Sequence, residues 1–153
     1  MTSIGFLAAL ALIAPAWAQT SGVVSAVTPP RTAARRGGLM EARVTVQLRN
    51  GYHVNSNTPA EDYLIPLRLA WTAAPFEVAE TVYPKPKMEK YSFSPKPLSV
   101  FTGDFDILTR LKVPVGVAPG PGVLVGKLRY QACNDNSCLP PKTIEVRLAY
   151  QVQ

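Results

Sequence analysis

The chain is poor in the residues that most catalytic chemistry requires. It has one histidine and two cysteines in 153 residues, and it has no glycine-rich phosphate loop. A metal site wants more ligands than these; Cys133, Cys138 and His53, with Met40 and Met88 scattered elsewhere, match no recognised ligand spacing. No metal and no cofactor is therefore expected. No Ser or Cys motif stands beside His53, so it reads as a structural or partner-contacting residue before a catalytic base. Asp104 and Asp106 fall at a turn and on a solvent face, without the pairing that acid–base work needs. No helical period is present, and after the first eighteen residues no apolar run approaches membrane length. The net charge is +6, but the basic residues are dispersed over outward strand positions without a recognition motif. That excludes a nucleic-acid reading and leaves a solvated basic surface that favours acidic partners.

What the first residues do contain is an export pattern. Ile4 to Ala14 is an apolar run of signal-peptide length, and Ala16-Trp17-Ala18 before Gln19 is an A-x-A-like cleavage site. No Lys or Arg precedes the run, and the competing reading is an N-terminal membrane anchor. Residues 1–18 are thus expected to be a signal peptide, with the mature chain in the periplasm. Residues 19–38 are rich in Pro, Ala, Gly and Arg and read as a flexible N-terminal tail, ending in a first short strand near Val23–Val27. Residues 39–153 form one domain, large enough to bury a core without staples.

Within that domain the dominant pattern has a period of two. Ala42, Val44, Val46 and Leu48 alternate with Glu41, Arg43, Thr45 and Gln47, which marks a half-buried strand. Asn50-Gly51 is a strong hairpin signal and starts a return strand at Tyr52-His53-Val54-Asn55. Leu64–Trp71 is a further strand, at an edge or bulged because of Pro66. Phe76, Val78 and Val82 fit another. Val100-Phe101, the alternating run from Phe105 to Val115, Leu124 to Ala132 and Ile144 to Tyr150 complete about eight short strands. An all-β, immunoglobulin-like antiparallel β-sandwich is the expected fold.

Two stretches interrupt the scaffold. Pro84 to Pro97 interleaves prolines with Lys85, Lys87, Lys90 and Lys96, and carries Tyr91 and Phe93 in its middle. It reads as a long functional loop without strand, whose aromatics pack. Tyr130 to Pro141 holds both cysteines around Asn134-Asp135-Asn136-Ser137, all turn-favouring residues. An exported Cys pair is normally oxidised. A loop this short stabilises by only ~2 kcal/mol in the chain-entropy model, which favours a working disulfide over a structural one. Strand parity puts Cys133 opposite Leu128 and Tyr130, pointing away from the core and reachable by a partner. The spacing is not the C-x-x-C of a thioredoxin-like motif, so no helix dipole acidifies either thiol, and activation would depend on a partner.

At Tyr130-Gln131-Ala132-Cys133 and Cys138-Leu139-Pro140-Pro141-Lys142-Thr143 the sequence resembles the active-site hairpin of the N-terminal periplasmic domain of the thiol:disulfide interchange protein DsbD. Asn50-Gly51-Tyr52-His53-Val54 resembles that family's Gly-Tyr strand entry, and Tyr83-Pro84 through Phe101 its cap-loop segment. The resemblance implies an immunoglobulin-like domain in which Cys138 forms the mixed disulfide with partners and Cys133 resolves it. It implies a loop aromatic that shields the pair, matched best by Phe93 and next by Tyr91, with Tyr52, His53 and Tyr130 beside the site. It implies a thioredoxin-like protein or membrane thiol transporter as electron donor, here a separate polypeptide. The acceptor would be an oxidised periplasmic disulfide isomerase or a cytochrome c maturation factor. The turn between the cysteines is shorter than in the best-known members, and Tyr52-His53-Val54-Asn55 offers less aromatic cover. Two other readings stand beside this one: a non-catalytic immunoglobulin-like binding or assembly domain with a structural disulfide, and a metal-handling domain using the thiols.

Overall fold

A computed structural model describes residues 19–20 and 22–153; the expected signal peptide lies outside the described residues. Thirteen strands follow one another: β1 (Gln19–Thr20), β2 (Val24–Val27), β3 (Thr32–Ala34), β4 (Leu39–Leu48), β5 (His53–Asn55), β6 (Arg68–Thr72), β7 (Glu77–Val82), β8 (Lys87–Glu89), β9 (Leu98–Thr102), β10 (Phe105–Lys112), β11 (Gly120–Tyr130), β12 (Ala132–Cys133) and β13 (Lys142–Val152). Among the described residues there is no helix. The alternation in β4 has its expected consequence: Met40, Ala42, Val44, Val46 and Leu48 are buried while Glu41 and Arg43 face solvent.

The strands form three sheets. The first runs β1-β2-β4-β10-β7, the second β3-β13-β11-β6, and a small third one β12-β5-β9-β8. Every pairing is antiparallel except that of β3 with β13. The first two sheets face each other across the main core, where Val24, Val44, Val46 and Ile107 meet Leu69, Leu128, Tyr130 and Val146. A second cluster around Met40, Leu111, Leu124, Phe76 and Leu148 fills the rest of the interface. The protein is an immunoglobulin-like β-sandwich. The third sheet is the addition that matters. Its Val54, Phe101 and Ala132 enter the main core, while Leu98 and Val100 turn the other way to form a small separate cluster with Leu64 and Tyr91.

Three local expectations change. The Asn50-Gly51 turn forms, with Gly51 at φ 84°, but β5 does not pair back onto β4. It joins β9 and β12 instead. A tight turn fixes a reversal of direction, and the burial of both faces of β5 decides which sheet receives it. The stretch read as a tail holds the short strand expected near Val23–Val27, β2, which pairs with β4, but also β1, which pairs with β2, and β3, which pairs with β13; Val24 and Ala34 are fully buried. The proline-rich stretch read as strandless contains β8. That strand lies at the edge of its sheet, and its flanking prolines, Pro84, Pro86 and Pro95, lie outside it.

Two glycines in β11 make room for aromatic rings from its neighbours. Gly126 is opposite Trp71 of β6, and a Cβ there would sit 2.9 Å from the Trp71 ring. The indole cannot simply swing aside, because its Nε1 donates to Thr109 Oγ1 across the sandwich at 3.0 Å. Gly126→Ala is therefore expected to cost about 1–3 kcal/mol through overpacking, measurable as a lowered midpoint in urea unfolding. An unchanged midpoint would mean that the ring has free space to move into.

Candidate functional site

The site is built on the small third sheet. Cys133 closes β12, and its register partner on β5 is His53, which in turn lies opposite Thr102 on β9. Residues directly opposite in an antiparallel pair share a face, so these three side chains form one row on the side away from the main core. Beyond Cys133 the chain reverses on an Asx turn. Asn134 Oδ1 accepts from the backbone N–H of both Asn136 and Ser137 at 2.9 Å. Backbone bonds from Asn134 N–H to Ser137 O and from Leu139 N–H to Ala132 O bracket the pair. The turn thereby sets Cys138 opposite Cys133, and a disulfide joins them with Cα atoms 3.9 Å apart.

The two sulfurs live in different surroundings. Cys138 is exposed, whereas Cys133 has 0% of its surface accessible. This corrects the expectation that Cys133 is reachable. Parity assigns its face correctly, away from the main core, but that face does not meet solvent. Tyr130 ends β11, Gln131 lies outside any strand, and the chain then enters a different sheet. The far side of that sheet is roofed by the Pro84–Pro97 loop.

The roof is a stack of rings. His53 and Tyr91 lie face to face with centroids 3.9 Å apart, and Phe93 lies parallel to both and to one side, its centroid 5.5 Å from Tyr91 and 6.4 Å from His53. Tyr91 is buried and its hydroxyl donates to Glu89 Oε2 at 2.7 Å. Phe93 is 37% exposed. Of the two loop aromatics, Tyr91 is thus the inner one, and Phe93 forms the outer rim. The loop is tied to the Cys hairpin by Ser92 Oγ, which donates to the Asp135 carbonyl at 2.8 Å. Beside Cys138 opens a hollow of about 220 Å³, lined by Tyr63, Leu64, Phe93, Leu98 and Gln131. Tyr63 is the most open of these at 71% exposure.

His53 is the most constrained polar group in the row. It is 2% exposed, and its Nε2 has no hydrogen-bond partner. Burial pushes the imidazole pKa below its ordinary value, against the weaker upward pull of Glu89 and Asp135. Burial also raises the Tyr91 phenol, which the bond to Glu89 keeps protonated. Tyr52 and Tyr130 lie elsewhere than expected. Tyr130 is buried in the main core and Tyr52 packs against it, so both support the site from below. Sequence reasoning missed Glu89, Ser92 and Asn55. Asn55 has a legible signal, since it shares the His53 face two residues on. Its Nδ2 donates to Ile65 O and Gln131 Oε1, bracing the Gln131 junction. Among the described residues no three of His, Cys, Asp or Glu gather as metal ligands.

A solvent-facing sulfur bonded to a buried one, under a ring stack on a sandwich edge, defines a thiol–disulfide exchange domain of immunoglobulin-like fold. The sequence matches the family described as the N-terminal part of the thiol:disulfide interchange protein DsbD over residues 24–149, and the chain belongs to that family. No curated protein sequence matches it. In fold it is similar to the N-terminal periplasmic domain of ScsB from Proteus mirabilis, with a TM-score of 0.60 at 15% identity. That match covers 84% of this chain and 47% of the other, so the chain spans about half the length of that domain. The reduced N-terminal domain of Neisseria meningitidis DsbD aligns with a TM-score of 0.44 at 16% identity, covering 73% and 82% of the two chains.

Proposed function

We propose that this domain relays reducing equivalents in the periplasm through the Cys133–Cys138 pair. A thioredoxin-like protein or a membrane thiol transporter reduces the disulfide. The dithiol then reduces an oxidised periplasmic protein, of the disulfide isomerase or cytochrome c maturation class. Cys138 makes the mixed disulfide and Cys133 resolves it, while Tyr91 and Phe93 shield the pair between encounters. The observation that carries this reading is the asymmetry of the sulfurs. Exchange needs one sulfur that a partner can reach in line and a second that meets only the first. Exposed Cys138 and buried Cys133 supply that division. The hollow beside Cys138, with Tyr63 and Phe93 at its rim, provides an apolar seat for the residues flanking a partner cysteine.

The reduction potential of the pair tests the reading. Equilibration with glutathione is expected to give a value above about −300 mV, outside the range of inert structural disulfides. A value well below that would leave the disulfide as a staple and favour the binding-domain alternative.

A further inference from the structure

His53 has no assigned part in the exchange, yet its position is unusual. It is directly opposite Cys133 in the β12–β5 register and on the same face, a relation that places Cβ atoms about 5 Å apart. It is buried under Tyr91, and its Nε2 has no hydrogen-bond partner. A buried polar atom without a partner costs free energy, and nothing in the oxidised state recovers that cost. The oxidised state also lacks one participant. When the disulfide opens, Cys133 becomes a thiol in a place that water does not reach.

We propose that His53 is the proton acceptor for the Cys133 thiol during resolution of the mixed disulfide. This rests on the redox reading above and assigns the step that burial makes difficult. Cys138 is then bonded to a partner sulfur, and Cys133 is a neutral thiol. Its proton passes to the His53 imidazole. The resulting thiolate attacks Cys138 Sγ, forming the Cys133–Cys138 bond and breaking the Cys138–partner bond. The electron pair of that bond leaves on the partner's sulfur, which takes up a proton from His53 or solvent. The partner is reduced by two electrons and the domain is oxidised by two. In the opposite direction, protonated His53 supplies the proton that Cys133 needs when a donor thiolate displaces it.

The surroundings suit an acceptor. The groups facing the imidazole are Glu89 from β8, Asp135 from the hairpin, the Tyr91 phenol above it and Cys133 beside it. On the third flank Thr102 accepts from Lys87 Nζ at 3.1 Å. Both carboxylates favour the imidazolium once it forms, and burial keeps the ring neutral until then. A neutral base next to a thiol that burial holds protonated is the pairing that activates cysteine nucleophiles in general.

The test follows the reaction of the reduced protein with Ellman's reagent by stopped flow. The first thionitrobenzoate release reports attack by Cys138 and the second reports resolution by Cys133. In the wild type the second release is expected to be level up to about pH 8 and to slow only at a pH below the ordinary imidazole value of about 6.5, because burial lowers the His53 pKa. In His53→Gln and in His53→Phe, which keeps a ring in the stack, it should slow by about tenfold or more at pH 7. It should also then rise about tenfold per pH unit, following the thiol alone. Equal second-phase rates and pH profiles in wild type and variants would overturn the proposal. Should a variant not fold, a wild-type second phase that climbs through pH 8 without levelling overturns it alone. If the first release is absent from the wild type, the redox reading itself falls and takes this step with it.

Discussion

Cys133→Ser is expected to turn the domain from a shuttle into a trap. Reduced and mixed with Ellman's reagent, it should release one equivalent of thionitrobenzoate and retain the other as a stable adduct, seen as a mass increase. The wild type should release both and keep none. Cys138→Ser should react slowly, by about tenfold or more, because the thiol that remains is the buried one and only an exposed thiolate attacks efficiently. The contrast follows from the unequal exposure of the two sulfurs. A Cys138→Ser protein that reacts as fast as Cys133→Ser would reverse the roles assigned to the pair.

The second large effect concerns the roof. Tyr91→Ala removes the ring stacked on His53, the bond to Glu89 and one of the four members of the cluster with Leu64, Leu98 and Val100. A loss of about 3 kcal/mol in stability is expected for deleting a buried ring of this size. Reduction of the disulfide by dithiothreitol should speed up by about tenfold or more, as the face over Cys133 opens. Phe93→Ala tests the outer rim separately. Its ring is partly exposed and fills less of the interior, so stability should change by less than about 1 kcal/mol while reduction still accelerates. Unchanged rates in both variants would show that the rings pack the loop without guarding the sulfurs.

How far the sequence led depends on the kind of information each element needs. The alternation in β4 and β13 depends only on one face being buried, and both strands form where the period places them. The Cys hairpin was legible because Asn134 and its neighbours act within a few residues. The family resemblance, resting on the same hairpin, is matched by family membership over residues 24–149. What failed needed to know which elements meet. Asn50-Gly51 specifies a turn but not the sheet that takes up the next strand. Parity at Cys133 specifies a face but not what covers it, because the cover comes from a loop some forty residues earlier (Tyr91 to Cys133). Tyr91 and Phe93 carry no local sign of which is the inner ring. His53 reads as an isolated polar residue until its strand is placed against β12.

The disulfide joins residues separated by five positions, whereas the ring stack brings His53 of β5 together with Tyr91 and Phe93 of the proline-rich loop. Contacts close in sequence form early in folding, and those between distant segments come later. The reactive bond and its protection are therefore acquired in that order. The folding chain exposes its thiol pair to whatever oxidant surrounds it before the ring stack exists. Thereafter Cys133 is closed off and only Cys138 still faces solvent. Access is thus lost with age: both sulfurs are open while the chain folds, and one of them is closed once it has folded.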